Sequence, residues 1–244
     1  MRWIYLSPHL DDAVLSAGGL IYEQTQAGIP VEIWTFMCGY PKDKEYSQFA
    51  VTNHFMWGFS SAEEAIRMRR AEDKNAAVVL GATTRHFDFL DCIYRRAPNS
   101  EWLYSEIAVP PHPEDKGLPS QIAEAISAHL LPDDVLVCQL AVGSHVDHVL
   151  VRQATELLGK SLRYDIDVPY IFYKPQELEL KSAGMKASVH SVTETGLTSW
   201  QEAVLEYKSQ IPNLGPDFDT PEKVLESLQS YWSEHKGIRL FERS

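Results

Sequence analysis

Two short segments concentrate imidazole and carboxylate groups: Ser7-Pro8-His9-Leu10-Asp11-Asp12 and Gly143-Ser144-His145-Val146-Asp147-His148. Each follows an apolar, strand-like run and precedes a helical pattern. Residues three apart at a helix start lie on the same side, so His9 and Asp12 can converge on one point, and so can His145 and His148. Two imidazoles and a carboxylate suit catalytic zinc, with water in the remaining position. Asp11, between the converging residues, points elsewhere and is free to act as a base. Taken singly, each loop has a plainer reading: Asp12 could cap the following helix, and the histidines could be solvated. Two such loops at the strand ends of one sheet are harder to explain in that way.

The elements that would position these loops alternate between strand and helix. Arg2–Ser7 reads as a strand, Ala13 to about Ala27 as a helix stopped by Gly28 and Pro30, and Val31–Met37 as a second strand. Ser61–Leu80 reads as a long helix ended by Gly81, Arg85–Leu90 as a third strand and Gln121–Leu131 as a helix. Val135–Leu140 is a fourth strand, leading through Gly143 to a helix start near His148. Such alternation argues for parallel βαβ units, and so for an α/β, Rossmann-like, mostly parallel sheet with helices on both faces. Beyond about Tyr164 the pattern changes. Val168–Tyr173 is a strand-type run, followed by helix candidates at about Ser199–Gln210 and Pro221–Glu234. The expectation is a single domain over 1–244, with about 164–244 forming a C-terminal strand/helix cap. In open parallel sheets, ligands bind outside the carboxyl ends of the strands, where both His/Asp loops would sit.

Composition narrows the partners. Lys and Arg number 22 against 34 Asp and Glu, a net charge of −12, which repels phosphate backbones and argues against nucleic acid. Cys38, Cys92 and Cys138 are far apart and form no CxxC pair, so buried thiols in a reducing compartment are expected. The N-terminal residues carry no long apolar signal region, and no apolar run nears the ~20 residues of a membrane helix. The expectation is a cytoplasmic protein without a membrane span.

Pro8-His9-Leu10-Asp11-Asp12 and His145-Val146-Asp147-His148 resemble the PHPDD and HxDH signatures of the PIG-L/LmbE-like zinc de-N-acetylases. Arg69-Arg70-Ala71-Glu72 with Val79-Leu80-Gly81 is similar to the family's R-x-x-E…LG helix. Asp91–Arg96, Asp167-Val168-Pro169-Tyr170 and Lys208-Ser209-Gln210 resemble further segments of bacterial members. The sequence departs from the pattern at Leu10, where the family usually has proline, and at Ala13, where many members have Glu. The resemblance implies that His9, Asp12 and His148 bind Zn2+, that Asp11 is the general base, and that a protonated His145 faces the developing oxyanion. It implies further that Asp147 orients His145 and raises its pKa. The substrate it implies is a small N-acetylated molecule, in particular an N-acetylglucosamine-containing one. Members often associate, and the acidic surface does not forbid a homo-oligomer.

Arg69 and Asp91 are candidates for contacts to substrate hydroxyls, since Asp91 follows the third strand and Arg69 lies on the long helix. His54, His112 and His190 read as solvated loop histidines. The aromatic residues Tyr40, Tyr46, Phe49, Phe55, Trp57 and Phe59 serve either as a lid stacking on a sugar or as a satellite core. Rival functions are a zinc amidase of the same family acting on a non-sugar amide or thiol conjugate, and a non-catalytic sugar-binding protein. A nucleotide-binding module fails because no G-x-G-x-x-G follows the first strand and Asp11-Asp12 would meet the pyrophosphate.

Overall fold

The computed structural model describes residues 1–243. Trp3–Ser7 forms β1, buried along its whole length, as a strand covered on both faces must be. It is followed by α1 (Asp12–Gln26), β2 (Val31–Thr35), α2 (Gln48–Met56), α3 (Ala62–Val79) and β3 (Thr83–His86). Then come α4 (Leu118–Ser127), β4 (Val135–Gln139), α5 (Val146–Glu156) and β5 (Leu162–Asp165). The short helices α6 (Tyr170–Tyr173) and α7 (Glu177–Lys181) precede β6 (Met185–Ser191), α8 (Glu194–Val204), α9 (Pro221–His235) and β7 (Gly237–Arg243). Local chemistry fixes several starts: Ser61 accepts the Glu64 N–H at 3.2 Å at the head of α3, and Thr193 accepts that of Gly196 at 3.0 Å at the head of α8.

The strands form one sheet in the order β3-β2-β1-β4-β5-β7-β6. Those from β1 to β5 are parallel, and β7 runs antiparallel to both β5 and β6. Side chains from α1, α3, α8 and α9 pack on one face, and those from α4, α5 and the start of α3 on the other. The sheet is thus mostly parallel with helices on both faces. The chain leaves β1 toward β2 and later returns to β4 on the opposite side of β1. The loops after β1 and β4 therefore diverge at a topological switch point, where a crevice opens at the carboxyl ends.

Four expectations need correction. Val168–Tyr173 is not a strand. Pro169 removes a ladder donor, and the N–H groups of Ile171 and Phe172 donate to the carbonyls of Asp167 and Pro169 instead, closing the turn into α6. The region beyond residue 164 contributes β6 and β7 to the sheet itself. β6 shows no apolar alternation because it is an exposed edge strand paired only with β7, and polar edges discourage aggregation. The helix expected at Ser199–Gln210 starts five residues earlier, at the Thr193 cap. Gln48–Met56 is helix α2, not loop, and Ser47 caps it by accepting the Ala50 N–H at 2.9 Å.

Candidate metal and active site

The loop after β1 is tied by its own polar groups. The Ser7 hydroxyl donates to the His9 carbonyl at 2.6 Å and accepts the Ala13 N–H at 3.1 Å. The Asp12 carboxylate accepts the His9 N–H at 2.7 Å. Leu10, where a proline was expected, is buried beneath the loop. In the loop after β4, Gly143 has φ +87° and a Cβ there would overlap the Tyr170 ring, so the chain turns into α5 only with glycine at this position.

Together the loops bring His9, Asp12 and His148 to one point. Asp12 Oδ2 lies 3.2 Å from His9 Nδ1 and 3.4 Å from His148 Nε2. The rings of His9, His145 and His148 each present a nitrogen within 4.8 Å of the others. His148 Nδ1 is 2.8 Å from Asp167 Oδ1; its N–H donates there, which leaves Nε2 with a bare lone pair. That Nε2 is buried and has no hydrogen-bond partner. An orphaned, buried imidazole nitrogen aimed at a carboxylate and a second imidazole fits a zinc ligand set, with carboxylates behind the histidines to fix their tautomers.

The structure reassigns Asp147. Its carboxylate does not reach His145; it lies 3.1 Å from His9 Nε2, accepts the Cys92 N–H at 3.0 Å, and pairs with Arg95 at 2.6 Å. Arg95 also meets Asp115 at 3.0 Å. Asp147 is fully buried, and a buried carboxylate needs such partners. It is the backbone N–H of Asp147, not its carboxylate, that donates to His145 Nδ1, at 3.1 Å. Burial, with the neighbouring His9 and His148, pushes the His145 pKa well below the ordinary histidine value, against a smaller upward pull from Asp147. The accepted hydrogen bond at Nδ1 and the downward shift both favour a neutral His145 with its proton on Nε2 over the cation expected from the sequence.

Asp11 points away from this point, toward Arg69 at 3.8 Å. Burial and the neighbouring Asp12 push its pKa up to about 7. Burial also acts on Asp12, but His148 and His9 outweigh it and hold that carboxyl well below the usual range.

A cavity of about 540 Å³ opens onto these groups, and His9, Asp11, Asp12, Arg69, Asp91 and His145 all line it. His148 and Asp147 lie behind the wall. The Arg69 guanidinium sits over the Trp57 ring, 4.7 Å from its centroid, and its Nε has no partner. Asp91 accepts the Ile93 N–H at 3.1 Å and approaches His9 Nε2 at 3.8 Å. Of the 40–59 aromatics, Phe49 and Trp57 form part of the cavity wall, while Tyr46 packs on the core and Phe55 is exposed. His54 is not solvated: α2 buries it, and its Nε2 lies 2.7 Å from the Tyr94 hydroxyl. Sequence reasoning singled out neither Asp167 nor Arg95 as site residues. Asp167 follows β5, a strand the sequence reading did not find, and Arg95 had no signal beyond its place near Asp91.

Comparison with known proteins follows the same line. The family model for GlcNAc-PI de-N-acetylase (PIG-L) matches residues 4–158. Among solved structures, teicoplanin deacetylase in its zinc-inhibited form is 30% identical, with 99% of this chain and 97% of that chain covered and a TM-score of 0.85. The deacetylase of an antimicrobial pseudoaglycone is 30% identical over 99% and 96%, with a TM-score of 0.79. N,N'-diacetylchitobiose deacetylase from Pyrococcus horikoshii shares the fold at 17% identity, over 99% and 82%, with a TM-score of 0.53. No curated protein matches at a significant level.

Proposed function

The chain belongs to the PIG-L family of GlcNAc-PI de-N-acetylases, and we propose that it is a zinc-dependent hydrolase removing an acetyl group from an amino group of a small, N-acetylglucosamine-containing substrate. The observation that carries this reading is the orphaned His148 Nε2 facing Asp12 and His9, with the separately held Asp11 beside them. Zinc, when bound by His9, Asp12 and His148, lowers the pKa of a water and polarises an amide carbonyl.

The chain's own residues supply the rest. Asp11 takes the water proton and returns it to the departing amine, a role suited by a carboxyl whose pKa is raised toward neutrality. His145, fixed by the Asp147 N–H with Nε2–H outward, donates a hydrogen bond to the oxyanion. Arg69 and Asp91 contact hydroxyls of the sugar from the cavity wall. A cavity of about 540 Å³ lies within the range that encloses drug-sized ligands, so the substrate extends beyond the acetamido group. The two 30% identical neighbours are named as deacetylases of teicoplanin and of an antimicrobial pseudoaglycone, which supports a substrate larger than a simple amide. Among the described residues no helix is long and apolar enough to cross a membrane, and three buried free thiols support the cytoplasm as its compartment.

The test is acetate release from N-acetylglucosamine conjugates, alongside metal analysis of the purified protein. Asp11→Asn should keep about one zinc per chain and lose ~10²–10⁴-fold in kcat. An Asp11→Asn enzyme working at the parental rate would remove the base from the mechanism.

A further inference from the structure

Behind the ligand loops, two buried acceptors on adjacent strands lack a donor. Gln139 and Asp165 are register partners on the adjacent parallel strands β4 and β5, so their side chains project from the same face of the sheet. The orientation of the Gln139 amide is fixed. Its Nε2 lies 3.2 Å from the Asp12 carbonyl, which can only accept, and 2.9 Å from the Ser16 hydroxyl. Its Oε1 is consequently turned away from α1, and it is buried with no partner. Asp165 Oδ1 is also buried with no partner, and no cation pairs with Asp165 among the described residues.

We propose that Asp165 is a positioning residue, a neutral carboxylic acid whose O–H donates to Gln139 Oε1 and thereby holds the first turn of α1, which carries Asp11 and Asp12. One proton satisfies both orphaned acceptors at once, whereas an ionised Asp165 would leave both buried acceptors without a donor, which is costly. The surroundings favour the neutral form. Burial acts first, then the carboxylates of Asp167 and, from α1, Asp12. Tyr5 of β1 and Tyr231 of α9 are the neighbouring titratable hydroxyls, both pushed toward their neutral forms by burial. The nearest guanidinium on the same strand, Arg163, is paired with Glu242 at 2.8 Å.

The role in catalysis rests on the deacetylase reading above, but the protonation state does not, and the experiment separates them. Infrared spectra of the zinc-loaded protein at pH 8 should contain the C=O stretch of a protonated carboxylic acid that Asp165→Asn removes; its absence from the parent protein overturns the proposal without reference to activity. Asp165→Asn, whose amide N–H can still donate to Gln139, should keep its zinc and a kcat within about twofold of the parent. Asp165→Ala should lose about tenfold in kcat with KM unchanged, the effect of one lost hydrogen bond on a misplaced base. The opposite pattern, Asp165→Asn as damaged as Asp165→Ala, would mean that the charge matters and not the donated hydrogen. An Asp165→Ala protein of lowered melting temperature but parental kcat would reduce Asp165 to a structural residue. If the parent protein itself shows no deacetylation while the infrared band is present, the failure belongs to the substrate assignment.

Discussion

Asp11 and Asp12 are adjacent in sequence and opposite in character. Burial and the Asp12 charge raise Asp11 to about 7, while His148 and His9 hold Asp12 low against its burial. Environments that push two carboxyls apart suit them to the two roles proposed above, one a ligand and one a base. Asp11 must be ionised to act, so kcat/KM should rise with pH, and a bound dication would bring that limb below about 7 by favouring the carboxylate. Arg69 favours the same charged form. Arg69→Met should therefore move the acidic limb to higher pH, and a pH profile with the limb unmoved would show that another group titrates. Asp147 calls for a different measurement. Because its carboxylate braces His9 and Arg95, Asp147→Asn should weaken zinc binding by ~10–100-fold in a chelator competition, and leave any alkaline limb in place. The convergence of His9 with Asp12 and of His145 with His148, and the separate direction of Asp11, were readable from the spacing in two motifs, because helix-start geometry brings positions i and i+3 together; the division into ligands and oxyanion group came from the family resemblance. The direction of the Asp147 carboxylate was not readable, since it depends on Arg95, Asp115 and the Cys92 N–H arriving from a distant segment.

At the level of elements, the first helix carries the site and is itself gripped from behind. The Trp200 indole of α8 donates to the Val14 carbonyl at 2.7 Å, and its ring fills the space where a Cβ at Gly18 would stand. Gly18→Ala should cost ~1–3 kcal/mol by overpacking, read as a lower denaturation midpoint. If backbone adjustment is confined to that end of α1, zinc content will be parental; loss of zinc would show that strain reaches Asp12. The Gly18-Gly19 pair lies within a helical pattern where glycine weakens the helix, and the Trp200 ring against Gly18 with the Val192 methyls against Gly19 explains it. Most elements before Leu140, α2 excepted, were legible, and those after it less so. β1, β2, β4, α1 and α3 announce themselves by apolar runs and periodicity, since each is buried by its neighbours. β6 and β7 pair at the antiparallel margin of the sheet, and β6 is largely exposed, so no hydrophobic pattern marks it.

For the whole molecule, the two ligand loops belong to segments more than 130 residues apart, joined in space because β1 and β4 are neighbours in the sheet. A metal held by His9 and Asp12 from one loop and His148 from the other links the two wings of the sheet at their switch point. Such a ligand binds the folded state and not the unfolded chain, so it stabilises by mass action, about 2.7 kcal/mol when free metal stands at 100 times Kd. For a domain of this size that corresponds to a shift of roughly 5–10 °C in Tm. Calorimetry of the protein before and after treatment with a strong chelator should show a fall of that order, reversed by zinc. His148→Ala should begin near the chelated value and fail to respond to zinc, because the remaining His9 and Asp12 come from a single loop and no longer bridge the sheet. A parental Tm after complete removal of the metal would mean that the switch-point crevice is held by protein contacts alone, with the Asp147–Arg95–Asp115 network carrying the load the metal was assigned.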